Sequence, residues 1–357
     1  MLDTISVRAD EGFSVARVAE FLRASGIPVD DLEVRQFPAG HSNLTYLLRS
    51  GDWEGVLRRP PLGPVAPRAH DVAREFQILR RLHPSFHLAP EPYVLCEDPT
   101  VLGSPFYVME RRRGVILDQE LPTGWNPDPR LHQQISESLV HVLVDLHAVD
   151  WAAAGLGDIG HPEGYLRRQV AGWIDRYQRV RTSQIAGVDA LEAWLAASLP
   201  TSPSPTMIHN DYKLNNVLLD VADPRRVAAV LDWEMATVGD PLSDLASLVV
   251  YWTEPGDAEM MGALRSVTAT AGFPSRQQIV DLYARLSGRD VRGLDWYLSF
   301  AYYKVGVICQ QIYYRWFKGQ THDARFGEHG LIADNLIRAA AQQAGLRRPE
   351  ARPKTSI

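Results

Sequence analysis

The sequence predicts an α+β fold in two lobes: a small antiparallel-sheet lobe with one main helix, then a larger and mainly helical lobe. Short β-prone runs around a single helical pattern fill roughly the first 110 residues. Helical periodicity dominates the chain beyond Gly114. A third observation is compositional: 357 residues that are 45% hydrophobic and 22% charged form an ordinary globular chain, long enough for two unequal lobes.

Ser14 followed by Val15, Val18, Ala19 and Leu22, then Gly26 and Pro28, sets an N-cap, a helical stripe and a stop in order. Runs at 32–37, 44–49 and 55–57 then alternate with turn residues at 39–42 and 50–52, the pattern of an antiparallel meander. Beyond a proline-rich stretch at 60–67, Val72, Phe76, Leu79 and Leu82 recur at helical spacing, and strands follow at 93–96 and 106–109. Long helices are expected at 131–149, 165–180, 242–252, 279–286, 294–316 and 330–344. Among them, 216–219 and 227–231 read as a small hairpin around Asp220, Asp223 and Pro224. The expected organisation is therefore one lobe over 1–110, a helical lobe over 111–345, and a charged, proline-containing tail at 346–357 expected to be disordered.

The formal net charge of −6 offers no basic surplus to neutralise a phosphate backbone, so a nucleic-acid partner is not expected. The two cysteines, Cys96 and Cys309, sit far apart in apolar surroundings, which fits inert core residues in a reducing compartment. The first ten residues lack the apolar stretch of a secretory signal. The most apolar late segment, 298–314, is broken by Lys304, Gln310 and Gln311, too polar to cross a bilayer. The expectation is a cytoplasmic protein with no membrane span.

The chemistry-bearing residues cluster at the hairpin. His209, Asp211, Lys213 and Asn216 precede it, and Asp232, with Glu234 two residues on, follows its second strand. Transfer of the γ-phosphoryl group of ATP needs a carboxylate to orient the acceptor hydroxyl and hard oxygen ligands for Mg²⁺. Asp211 suits the first role, and Asn216 and Asp232 suit the second. Lys213 is placed to approach the transferring phosphate.

These segments resemble a known family. His209 to Asn216 matches the His-x-Asp-x-x-x-x-Asn signature of the aminoglycoside phosphotransferase and choline kinase superfamily, and Asp232-Trp233-Glu234 is similar to its metal-binding signature. Within it the likeness is to the phosphotransferase domain found alone in bacteria and fused to acyl-CoA dehydrogenases in animals. The stretches at 40–43, 56–61, 74–76, 103–110 and 230–246 carry that likeness in order.

The resemblance implies a protein-kinase-like fold whose first lobe binds the nucleotide and whose second carries catalysis and the substrate. It implies ATP and Mg²⁺ as cofactors, and a loop around Gly40, Ser42 and Asn43 that covers the phosphates. It further implies an adenine-binding hinge at Glu110, Arg111 and Arg112, and an ion pair between Arg58 and Glu75. Position 58 departs from the protein-kinase pattern, since an arginine replaces the usual lysine and the two are not interchangeable. The dehydrogenase-linked likeness points to a hydroxylated small-molecule acceptor of hydroxyacyl-CoA type and to a functional link with an acyl-CoA dehydrogenase.

Against each role stands a plainer reading. His209 is read as bracing its loop, and Asp244 as a first-turn carboxylate that by resemblance ties down the catalytic loop. His141 and His147 are six apart and share no metal-binding face, so they read as structural. The late aromatics, from Trp296 to Phe317, read first as helical core, some of them lining an acceptor pocket. Competing functions are an aminoglycoside kinase, disfavoured by the near-equal acids and bases after residue 233, and a kinase for a choline-like cation. A non-catalytic nucleotide-binding module and a metal-dependent hydrolase complete the alternatives.

Overall fold

The computed structural model describes residues 4–38, 43–62, 71–122, 124–125, 128–257, 261–321 and 324–346, apart from the side chain of Ala263. The chain forms two compact units. One comprises Met1–Val115, Val149–Ile159 and Asn216–Ala236, and the other Ile116–Ala148, Gly160–Asn215 and Thr237–Ile357. The hairpin segment thus belongs with the sheet unit, although its neighbours in sequence are helical. The tail beyond 346, expected to be disordered, lies outside the described residues.

The first unit opens with α1 (Val15–Ala24), capped by the Ser14 hydroxyl, which accepts from the Arg17 N–H. Strands β1 (Glu33–Gln36), β2 (Leu44–Ser50), β3 (Trp53–Arg59), β4 (Pro92–Cys96) and β5 (Phe106–Glu110) form an antiparallel sheet in the order β1-β2-β3-β5-β4. Gly51, at a φ of 56°, makes the tight β2–β3 turn that a side chain would strain. Strand alternation sends Tyr46, Leu48, Leu57, Phe106 and Val108 to one face, where they bury with Val18 and Leu22 of α1. Residues one step along face the other way, toward α2 (Val72–Leu82): Tyr107 meets Phe76 edge-on, and Arg58 meets Glu75. A short helix, α3 (Pro99–Leu102), begins on an Asp98 cap with proline in its first turn. The chain then passes through β6 (Val115–Ile116).

The second unit is built from α4 (Pro129–Ala148), α5 (Tyr165–Val180), α6 (Val188–Ala197), α7 (Pro241–Tyr251), α8 (Arg276–Ser287), α9 (Leu294–Phe317) and α10 (His329–Gln343). α9 packs on α5, α7 and α10, while α4 packs on α8. Between helices, β7 (Thr206–Ile208) pairs antiparallel with β10 (Thr237–Gly239), which sets His209 and Asp240 at the ends of that ladder. The hairpin of the first unit, β8 (Val217–Leu219) with β9 (Val227–Val230), is antiparallel with one irregularity, and the Asp220 carboxylate caps its turn. Both cysteines are buried and free. Among the described residues no helix is long and apolar enough to cross a membrane.

Candidate active site

In the first unit the sequence-predicted residues converge on one guanidinium. Arg58, with a side chain 9% exposed, forms an ion pair through Nη1 with Glu75 Oε1 at 3.0 Å and donates through Nη2 to Asp232 Oδ1, and its Nη2 lies 3.7 Å from Glu234 Oε2. Glu234 also accepts from the amide of Asn43 at 2.9 Å. Asn216, at the start of the hairpin, accepts through its carbonyl from the Leu231 N–H at 2.8 Å, which ties the base of the hairpin to the strand leading into Asp232.

Asp232 itself is left-handed, with φ 70° and ψ 64°. α2 holds that turn from both sides. Glu75 Oε1 accepts from the Trp233 N–H at 3.2 Å, and Arg74 donates to the carbonyls of Glu234 at 3.0 Å and Ala236 at 2.7 Å. The sequence marks Arg74 only as part of a resembling stretch, because its partners lie some 160 positions away.

Three carboxylates around one guanidinium leave a formal charge of +1 − 3 = −2 for Arg58, Glu75, Asp232 and Glu234. Burial pushes the Glu75 carboxyl up to about 7, with Asp232 and Glu234 adding to the rise and Arg58 opposing it. Burial weighs against the Arg58 charge too, but Glu75 and Asp232 together hold its pKa well above the ordinary arginine value. The guanidinium therefore keeps its charge beside the three acids. The deficit of two charges, with one carboxylate and one amide at the hairpin base, fits a hard divalent cation. Among the described residues no group of three or more His, Cys, Asp or Glu forms a self-sufficient metal cage.

Glu110, Arg111 and Arg112 close β5. Arg111 pairs with Glu54 at 2.8 Å, Arg112 donates to the His87 carbonyl at 2.8 Å, and Glu110 accepts from the Glu91 N–H at 3.2 Å. Their side chains are engaged with the scaffold. Gly40 and Ser42 lie outside the described residues.

In the second unit the residues around Asp211 form another network. The Asp244 carboxylate, fully buried on α7, accepts from the His209 N–H and the Asn210 N–H, both at 2.6 Å. His147 of α4 stands 3.4 Å from Asp244 through Nε2 and 2.8 Å from the Tyr283 hydroxyl through Nδ1. Burial alone would raise the Asp244 pKa; the His147 ring, the charge of His209 and the His209 N–H reverse it and hold the group below its ordinary value. His209 is buried, and its Nδ1 accepts from the Asp211 N–H at 3.3 Å. Lys213 pairs with Asp211 Oδ2 at 2.9 Å and lies 4.7 Å from the centre of the Tyr251 ring.

Asn210 is left-handed, with φ 67°, and it and Asp232 are the two non-glycine residues with positive φ among the described residues. Left-handed backbone at residues with a Cβ costs energy and concentrates at functional sites. Here the pair falls in the two motifs the sequence singles out. The Tyr165 hydroxyl and Lys304 fix Asn210 from the side, donating to its amide oxygen at 2.9 Å and to its carbonyl at 2.7 Å.

Asp211 and Asn210 border a narrow pocket with an interior volume of about 20 Å³. Its walls are Tyr165 and Gln169 of α5, Ser243, Ser247 and Tyr251 of α7, and Tyr297, Phe300, Ala301, Lys304, Val305 and Ile308 of α9. The α9 residues recur three and four apart, so one face of that helix makes one wall. His147, read from the sequence as structural, braces Asp244, and Lys304 stands out in the sequence only as a polar break. Both act on partners more than 90 residues away.

A five-stranded antiparallel sheet with a helix-borne acid paired to a β3 cation, and a helical unit carrying Asp211 on a braced loop, define the kinase-like fold of small-molecule phosphotransferases. The model of the Phosphotransferase enzyme family matches residues 33–278, and the chain belongs to that family. Acyl-CoA dehydrogenase family member 11 of Rattus norvegicus is 31% identical over 95% of this chain, and family member 10 of Mus musculus is 33% identical over 87%. The chain spans only 44% and 29% of those proteins' lengths.

Among solved structures, a putative aminoglycoside phosphotransferase of Ralstonia eutropha superposes with a TM-score of 0.78 at 29% identity, covering 94% of this chain and 99% of the other. The aminoglycoside phosphotransferase APH(4)-Ia, solved with ADP and hygromycin B, shares the fold with a TM-score of 0.59 at 19% identity, covering 91% and 98%. The likeness to these solved structures is one of fold, and the family is that of the phosphotransferase enzymes.

Proposed function

We propose that this chain transfers the γ-phosphoryl group of ATP to the hydroxyl of a small acceptor bound in the pocket beside Asp211, and that the acceptor is a hydroxylated acyl compound of hydroxyacyl-CoA type. The observation that carries the reading is the position of Asp211, which reaches the pocket from a loop braced by Asp244. Asp211 orients the acceptor hydroxyl and accepts its proton as the new O–P bond forms and the bond from phosphorus to the bridging oxygen of ADP breaks. Lys213, already paired with Asp211, offsets charge on the transferring phosphoryl.

In the first unit, Asn216 and Asp232 would hold Mg²⁺, which when bound supplies charge neutralisation and a template for the phosphates. Arg58, held by Glu75, faces the phosphates. Asn43 with Gly40 and Ser42 covers them, and the backbone of Glu110, Arg111 and Arg112 takes the adenine. Glu234 keeps Arg58 and Asn43 in register, and His209 and Asp244 fix the loop that carries Asp211.

The walls of the pocket weigh against a polycationic aminoglycoside, since Asp211 is its one acid among the described lining residues and Lys304 adds a positive charge. The acyl-CoA dehydrogenase names of the relatives favour an acyl acceptor and a functional link to such a dehydrogenase. Phosphate transfer from labelled ATP with Mg²⁺, across hydroxyacyl-CoAs, aminoglycosides and choline, tests the reading. Transfer to the acyl class that disappears in Asp211→Asn, with nucleotide binding retained, is expected. Full activity in Asp211→Asn would refute the mechanism.

A further inference from the structure

We propose that Lys304 selects the acceptor by donating to a carboxylate or thioester oxygen carried near the hydroxyl to be phosphorylated, which makes hydroxylated acids and their thioesters the preferred class. The inference rests on the reading of the pocket beside Asp211 as the acceptor site.

Three observations lead to it. First, Lys304 lies on the same face of α9 as Tyr297, Phe300 and Ile308, so its ammonium enters a wall that is otherwise aromatic and aliphatic. Second, its one described hydrogen bond is to the Asn210 carbonyl at 2.7 Å. An ammonium has three protons, so donors remain for a ligand. Third, the pocket contains no second cation among its described lining residues, and its one acid, Asp211, is already paired with Lys213. An acceptor carrying positive charge would meet Lys304 with nothing to compensate it. An acceptor with an apolar chain and one anionic or carbonyl oxygen would match the α9 wall, where Lys304 stands among Phe300, Ala301, Val305 and Ile308.

The surroundings make the ammonium responsive to such a ligand. Lys304 sits 5.7 Å from the centre of the Trp173 ring. Burial holds its pKa below the ordinary lysine value, with Asp211 and Asp244 opposing that fall and Lys213 and Arg176 adding to it. A carboxylate arriving in the pocket acts in the same sense as those two acids and strengthens the charge on Lys304.

The plainer alternative is that Lys304 only fixes the left-handed Asn210 and hence Asp211. The two roles separate kinetically. The test uses the full chain with Mg²⁺-ATP and three acceptors: a medium-chain hydroxy acid, its primary amide, and an alkanol of the same length. In the wild type the acid should exceed the amide in kcat/KM. Lys304→Met should lower kcat/KM for the acid by about tenfold to a hundredfold, chiefly through KM, as loss of a hydrogen bond to a charged group requires. The loss should be smaller for the amide, whose carbonyl oxygen accepts a weaker, uncharged hydrogen bond, and smallest for the alkanol, which offers no such oxygen, and Lys304→Arg should restore part of the preference for the acid.

A uniform loss across all three acceptors, carried in kcat, would assign Lys304 to positioning alone and overturn the proposal. Should Lys304→Met fail to fold, the wild-type ratio of acid to amide still decides: a ratio of one or less overturns it. Transfer that depends on Asp211 but ignores acceptor charge sinks only the Lys304 proposal, whereas transfer neither to these three acceptors nor to the CoA thioester of the same hydroxy acid sinks the phosphotransferase reading with it.

Discussion

Replacing Asp244 with alanine should both destabilise the chain and slow phosphoryl transfer, and the structure sets the size of the first effect. The carboxylate is fully buried and receives the N–H groups of His209 and Asn210, each at 2.6 Å. Deleting it orphans two buried backbone donors at about 1–3 kcal/mol apiece, and removes one of the two partners of His147 as well. The wild type bears the cost of burying a carboxylate, which the deletion relieves, so the lower part of that range applies, about 2–4 kcal/mol. Asp244→Asn keeps an acceptor for one N–H and turns an amide toward the other, so its loss should be smaller.

Urea unfolding of the nucleotide-free protein at neutral pH reads this as a fall in midpoint at unchanged slope. The pH dependence has a definite sign. The folded value of Asp244 lies below its ordinary 3.8, so its contribution is complete above the usual carboxylate range and is lost as pH falls through the folded value. The wild type should therefore lose more stability than Asp244→Ala between pH 7 and the acid limb. A midpoint in Asp244→Ala equivalent to less than about 0.5 kcal/mol of change, with kcat intact, would refute the bracing role.

Arg58→Met should cost about 3–5 kcal/mol, because it strands Glu75, 1% exposed, beside two further carboxylates; an unchanged urea midpoint would show that the guanidinium does not hold the cluster together. Asp232→Asn should leave nucleotide-free stability within about 2 kcal/mol of wild type, since the lost bond to Arg58 is offset by relief of repulsion among the acids. The same change should abolish the thermal stabilisation by Mg²⁺-ATP, which in the wild type amounts to about 2.7 kcal/mol at a hundredfold excess over Kd. A wild-type shift with Mg²⁺-ATP in Asp232→Asn would place the metal elsewhere.

What the sequence shows depends on how local the determinant is. Ser14 announces α1 because a cap acts on a backbone N–H three residues away. The apolar stripe places α5 and α9 because periodicity is written in consecutive turns. α6 escapes notice: it begins after Gly187 with no side-chain cap, and its buried face includes the carboxylate Glu192, held by Tyr303 from another helix. β7 and β10, three residues each, are too short for alternation to register. The same division runs through the site. Asp211, Asn216 and Asp232 stand in short motifs, while Arg74, His147 and Lys304 matter only through contacts that the fold makes.

The arginine at position 58 follows from the charges it meets. Nη1 serves Glu75 and Nη2 serves Asp232, with Glu234 at 3.7 Å, a spread that a rigid fork of N–H groups covers at once. A lysine ammonium could reach these acids only one point at a time, and the cluster would keep more of its repulsion. Even with the guanidinium, two negative charges remain, and they surround the one residue whose left-handed backbone aims its carboxylate out of β9. The grip of Arg74 and Glu75 on that turn keeps Asp232 in a conformation that an unbraced aspartate would leave. Charge imbalance and backbone strain are thus held at the same residue, and a bound divalent cation would relieve the first while using the geometry set by the second.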